Sequence, residues 1–77
     1  MMYRRIRDLR EDNDLTQETV AEYLVMNRGV YQRYECGDRE IPVWALVRLA
    51  AFYHTSTDYL LGLTNCRKPY PFGWIKE

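Results

Sequence analysis

The stretch from Thr16 to Gly37 reads as two short helices joined by a tight corner, and it constrains the chain more than any other segment. Thr16 stands where it can N-cap the first helix and Asn27 where it can N-cap the second. Gly37 follows at the place where a helix ends in the left-handed conformation. Between these caps Val20, Leu24 and Met26 face inward, followed by Tyr31 and Tyr34 on the second helix. Ala21 lies at the close approach, where a larger side chain would push the two helices apart.

The same spacing rules give three further helices and no strand. The first runs from about Tyr3 to Asp12 with Tyr3, Ile6, Leu9 and Arg10 inward, and Asn13 and Asp14 make a turn. Helices over about 17–24 and 28–36 follow, then a loop from Gly37 to Ile41. Pro42 fits the first turn of a fourth helix, because its missing N–H is not needed there. That helix is predicted to run to Tyr53 with Val43, Leu46, Val47, Ala50 and Tyr53 on one inward stripe and Leu49 flanking it. His54 caps its end, Ser56 caps a short fifth helix to Leu61, and Gly62 stops it. The expected fold is all-α: one compact five-helix domain over residues 1–64 and a tail over 65–77.

Size and composition narrow this further. A chain of 77 residues buries only about 60–65% of its unfolded surface, so its stability is limited and a partner subunit helps. Hydrophobic residues make up 47% and no Pro/Gly/Ser-rich linker divides the chain, which argues against disorder and against several domains. No secretory leader and no apolar run of spanning length is visible, so a cytoplasmic protein without membrane contact is expected. Eleven basic residues balance eleven acidic ones. Any polyanion must therefore be met by local charge, with a shallow salt dependence and weak non-specific affinity.

The helix pair resembles the helix-turn-helix of the Cro/CI-like repressors, the XRE family. The likeness extends over about residues 3 to 64: Ile6, Leu9 and Arg10 precede the Leu15–Gln17 triplet, then Ala21 and Leu24, Arg33 to Glu35, Gly37 to Pro42, Leu46 to Ala50 and Ser56 to Gly62 fall in family order. The resemblance implies a lambda-repressor-like domain that binds double-stranded DNA and places its second motif helix in the major groove.

Carried onto this chain, the family pattern makes Arg28 and Gly29 the first base-reading positions, with Gln32 and Arg33 on the next turn of the same face. Arginine can donate two hydrogen bonds to guanine and glutamine can bracket adenine, and glycine leaves room for a thymine methyl or a phosphate. Gln17 matches the family glutamine that bonds a phosphate and braces the first recognition residue. Asn27 and Arg39 are further phosphate candidates. Arg33 and Gln32 each keep a second reading, the former in an ion pair with Glu35 or an acid of the first helix, the latter as a solvated helix residue. Arg4, Arg5, Arg7 and Arg10 crowd the first helix, while Glu35, Asp38 and Glu40 intrude on the basic face.

Four positions depart from the family. Val25 occupies a corner often held by glycine, and a β-branched residue suits positive φ poorly, so a different turn is expected. Cys36 stands where asparagine often meets phosphate. Tyr31 and Tyr34 replace aliphatic residues and bring hydroxyls that need partners.

Cys36 and Cys66 are expected to stay reduced in a cytosolic chain. The single histidine and two cysteines are too few for a metal site, and no nucleophile–base pair, phosphate loop or carboxylate pair is present. Neither an enzyme nor a cofactor is expected. Trp44, outside the predicted stripe, marks a protein contact, its other reading being a ring stacked on Arg48 or covered by its own tail. Tyr70, Phe72 and Trp74 alternate in the tail and put three aromatics on one side of an extended segment. Packing on the domain or across a dimer is expected, with an unstructured tail as the alternative. The expectation is a homodimeric regulator, a repressor, on a near-palindromic operator. The rival is a protein-interaction module, or a toxin-binding antitoxin, that retains the fold.

Overall fold

The computed structural model describes residues 3–69. Five helices lie within them: α1 Arg4–Asp12, α2 Gln17–Tyr23, α3 Arg28–Cys36, α4 Val43–Phe52 and α5 Thr57–Leu61. No strand occurs among the described residues. Tyr70, Phe72 and Trp74 lie outside them.

Each helix start is set by a residue whose side chain or backbone suits it. Thr16 accepts from the Thr19 N–H at 3.1 Å, Asn27 from the Gly29 N–H at 2.7 Å, and Ser56 from the Tyr59 N–H at 3.0 Å. Such bonds satisfy donors that the helix itself leaves open. Pro42 takes the N-cap place of α4 rather than its first turn, and its carbonyl accepts from the Ala45 and Leu46 N–H groups. A Cβ at Gly29 would stand 3.1 Å from the Asn27 side-chain Oδ1, so the missing side chain leaves room for the α3 cap.

Helix ends use the left-handed residue. Gly37 (φ 92°) closes α3 and Gly62 (φ 82°) closes α5. Three ends use other residues: Asp14, Val25 and His54 have φ of 56°, 56° and 57°. At α2 the Val25 N–H bonds the Glu22 carbonyl and the Met26 N–H bonds the Ala21 carbonyl, both at 3.0 Å, which is the Schellman pattern. The different turn expected at Val25 is therefore not formed. Two backbone bonds hold the residue left-handed, and its side chain, 82% exposed, meets nothing that would oppose it. His54 does at α4 what the sequence suggested, its N–H bonding the Ala51 carbonyl and that of Thr55 the Ala50 carbonyl.

The packing has two halves and a bridge. α2 lies on α3, α4 lies on α5, and α1 touches both α3 and α5. Ile6 and Leu9 of α1 enter a core with Val20, Ala21, Leu24 and Tyr31 on one side and Leu49 and Leu60 on the other. Helix α4 is turned relative to the expected stripe: Ala45, Leu46, Leu49 and Ala50 are buried, whereas Val43 and Val47 are 74% and 52% exposed. The reason lies in its composition. Nine of the ten residues in Val-Trp-Ala-Leu-Val-Arg-Leu-Ala-Ala-Phe are apolar, so the pattern fits several faces and packing selects one.

Two ties hold the halves together. The Tyr23 hydroxyl donates to the Arg48 carbonyl at 3.2 Å while its ring lies 4.3 Å from that of Phe52. Arg5 donates to the carbonyls of Tyr59 and Thr64 and to Asn65, and its guanidinium sits 4.1 Å above the Tyr59 ring. Arg5 thereby fastens the chain beyond α5 onto α1.

Candidate nucleic-acid interface

Helix α3 displays the expected residues together. Arg28, Gly29, Gln32 and Arg33 are all exposed, with the Asn27 cap, also exposed, at the same end. Residues at i and i+4 share one face of a helix, which puts Arg28 and Gln32 together, and Arg33 follows further round the same solvent-facing side. Arg39 follows on the loop after Gly37 and is exposed, with its N–H bonded to the Arg33 carbonyl at 3.2 Å. Gln17, at the start of α2, is half-buried and lines a cleft of about 460 Å³ with Arg10, Leu15, Thr16, Glu18 and Arg28. The structure thus brings Gln17 and Asn27 beside Arg28, and leaves Arg39 at the opposite end of α3.

Glu35 does not intrude on this face, contrary to the sequence expectation. It is 3% exposed and forms a two-point ion pair with Arg10, at 2.8 Å to Nε and 3.0 Å to Nη2. Gln17 Nε2 donates to it at 3.0 Å and the Tyr31 hydroxyl at 2.8 Å. Burial alone pushes the Glu35 carboxyl up, but the hydrogen bonds from Arg10, Gln17 and Tyr31 outweigh it and hold the group below the usual carboxylate range. The same bond raises Arg10 further, and burial followed by the bond to Glu35 raises Tyr31. The hydroxyl that Tyr31 was expected to place has found its partner. Burying the only acid of α3 leaves Arg28 and Arg33 without an ion pair among the described residues, so the pairing of Arg33 with Glu35 or an α1 acid is not formed.

The basic crowd on α1 is largely spent within the molecule. Arg4 pairs with Asp8 at 3.8 Å, Arg7 with Glu11 at 2.9 Å, Arg10 with Glu35, and Arg5 anchors the chain after α5. Sequence spacing could have flagged the two i, i+4 pairs. Nothing local signals the roles of Arg5 or Arg10, whose partners lie 54 and 25 residues away. Positive charge on the candidate face therefore comes from Arg28, Arg33 and Arg39, with Asp38 and Glu40 exposed beside the last.

A second surface lies on α4. Trp44 is half exposed with the Arg48 guanidinium 5.7 Å from its ring, and Val43 and Val47 stand beside it. Stacking on Arg48, one of the alternatives for Trp44, is present and leaves half of the ring in solvent. No described helix is long and apolar enough to cross a membrane.

Comparison with known proteins agrees with this geometry. Residues 4–61 match the helix-turn-helix domain family. The chain is 39% identical over 69 residues to the uncharacterized HTH-type transcriptional regulator YobD of Bacillus subtilis, covering 90% of this chain and 62% of that protein. It is 34% identical over 65 residues to the HTH-type transcriptional regulator ImmR of the same organism, covering 84% and 51%. The cryptic phage CTXphi transcriptional repressor RstR of Vibrio cholerae is 38% identical over 53 residues, covering 69% and 48%. The chain spans about half to three-fifths of the length of these curated relatives. No solved structure gives a significant match. With the family match running from the start of α1 to the end of α5, and the motif helices α2 and α3 inside it, the chain belongs to the helix-turn-helix domain family, of the Cro/CI-like kind.

Proposed function

We propose that this chain is a sequence-specific double-stranded DNA-binding regulator, a repressor, that acts as a cytoplasmic homodimer and lays α3 in the major groove. The observation that carries the reading is the sorting of charge on α3: its single acid is buried against Arg10, while Arg28, Gln32 and Arg33 stay exposed on one side. Arg28 is the guanine reader, donating to O6 and N7, and Gln32 suits adenine. Gln17, Asn27 and Arg39 approach phosphates and set the register, with the N-terminus of α3 adding favourable N–H groups. Gly29 lets the backbone come close. The names of ImmR and RstR support regulation, and that of RstR supports repression.

A twofold dimer sets two α3 helices about 34–36 Å apart on a near-palindromic operator. Trp44, with Val43 and Val47, is the surface we assign to the partner copy, and Tyr70, Phe72 and Trp74 remain candidates for the same contact. The same exposed apolar residues favour the second reading, a protein-interaction module or toxin-binding antitoxin that keeps the fold.

Selection of binding sites from random duplex DNA at low salt separates the two. The regulator reading expects an enriched motif with twofold symmetry. Absence of any motif overturns it and leaves the interaction module. With a motif in hand, Arg28→Ala should weaken binding by about 1–3 kcal/mol and relax one base position, read by competition with single-base-pair variants.

A further inference from the structure

Beyond α5 the chain turns back onto α1. Arg5 donates to the Tyr59 and Thr64 carbonyls and to the Asn65 side chain. The Tyr59 ring carries two guanidinium groups, that of Arg5 at 4.1 Å and that of Arg67 at 5.7 Å. Residues 65–68 are exposed, but Pro69, the last described residue, is half-buried. Beside this tie, between the start of α1 and the end of α5, lies an open groove of about 360 Å³. Tyr3, Leu60 and Leu61 supply its apolar part, and Arg4, Arg5 and Asp8 its polar part. Arg5 therefore does two things: it walls the groove, and it holds Asn65 at the groove's edge.

We propose that this groove seats the chain's own residues 70–77, with the rings of Tyr70, Phe72 and Trp74 laid along Tyr3 and Leu61. Alternate positions of an extended segment face one way, so a single docked face takes all three rings. Pro69 and Pro71 favour an extended form before docking, which lowers the entropy lost on docking. Reach is not limiting, since the backbone from Asn65 to Tyr70 spans up to about 17 Å. Arg4 offers a cation to a ring face, as Arg5 and Arg67 do to Tyr59. A tether this short sets a millimolar effective concentration, so at micromolar protein a chain's own tail outcompetes that of a second copy. The seat is independent of what α3 binds. It withdraws the three tail aromatics from the partner contact and leaves that contact to α4.

The test uses the full-length chain. Trp44→Phe leaves Trp74 as its single tryptophan. The emission of Trp74 should then lie to the blue of its value in urea, equally so over a dilution series, and move to the red when Leu61→Ser spoils the groove. A stability cycle locates the seat. Replacing Phe72 and Trp74 together by serine should lower the ratio of folded to unfolded chain by about tenfold, read by urea denaturation followed by circular dichroism. In a Leu61→Ser background the same tail change should cost less than about twofold, because the contact is already gone. If Leu61→Ser lacks the helical signal, Tyr3→Ser takes its place in the cycle.

Three results overturn the proposal. Emission of Trp74 equal to its value in urea means that the tail does not dock. A blue shift that fades on dilution assigns the groove to the tail of a second copy. An equal loss from the tail change with and without the groove substitution puts the tail on another face of the domain.

Discussion

The polar centre where α1, α2 and α3 meet and the junction under α4 and α5 treat buried polar atoms in opposite ways. In the first, Arg10, Gln17, Tyr31 and Glu35 satisfy one another through bonds of 2.8–3.0 Å. In the second, the Tyr53 hydroxyl and Thr55 Oγ1 are buried with no hydrogen-bond partner, while Val43, Trp44 and Val47 face solvent. A satisfied network fixes one arrangement of its members, because every alternative leaves a buried group unpaired. It sits where α3 must be held at a defined angle to α2. The α4 half packs mainly through apolar side chains, with Tyr23 and Arg5 bonding its backbone from outside, and leaves a surface available for association.

The contrast can be broken most directly at Arg10. Arg10→Ala strands a buried carboxylate and should destabilise the fold by about 3–5 kcal/mol, read from urea denaturation. A loss below about 1 kcal/mol, the size of an exposed pair, would mean that Glu35 turns out to solvent and the network is not rigid. Acid should act on the same centre. The folded Glu35 carboxyl lies below its ordinary value of 4.5, so its stabilisation is complete above that value and is lost as pH falls through the folded one. Stability measured down to about pH 3 should therefore fall more steeply in the unaltered chain than in a Glu35→Gln variant. Parallel curves would place the acid sensitivity elsewhere.

A smaller effect compares two tyrosines. Tyr31→Phe removes a bond to a charged group and should cost about 1.5–3 kcal/mol, whereas Tyr53→Phe removes an unpartnered hydroxyl and should be neutral or stabilising by up to about 1 kcal/mol. Equal losses at both sites would erase the distinction between the halves. At alkaline pH the two behave alike. Burial raises both phenols above their ordinary 10.0, so folding loses stability as pH climbs past that value. The smallest change in stability belongs to Trp44→Ala, under about 1 kcal/mol for a half-exposed ring. Its informative readout is sedimentation mass: a drop assigns α4 to the dimer, and an unchanged mass takes Trp44 out of it.

Much of the backbone could be read directly. Thr16, Asn27 and Ser56 cap helices because hydroxyl or amide oxygens reach N–H groups two or three residues on, a purely local event. Gly37, His54 and Gly62 end helices for equally local reasons. Exposure of Arg28, Gln32 and Arg33 followed from the inward face of α3 set by Tyr31 and Tyr34. Val25 was misread because residue preference opposed positive φ, while two backbone bonds in the α2 terminus decided the matter. Glu35 was misread because a carboxylate is assigned to solvent by default, and only a partner 25 residues distant brings it inside.

The sequence by itself determined the five helices, their caps and the face of α3, since these depend on groups within a turn or two of each other. Tertiary structure alone decided which side of α4 is buried, as an almost wholly apolar helix has no phase of its own. It decided as well that the four arginines of α1 are engaged internally, and that Glu35 is a buried acceptor rather than a surface acid. Those choices depend on contacts between helices far apart in the chain, where the energy of pairing or stranding a charge outweighs any local preference.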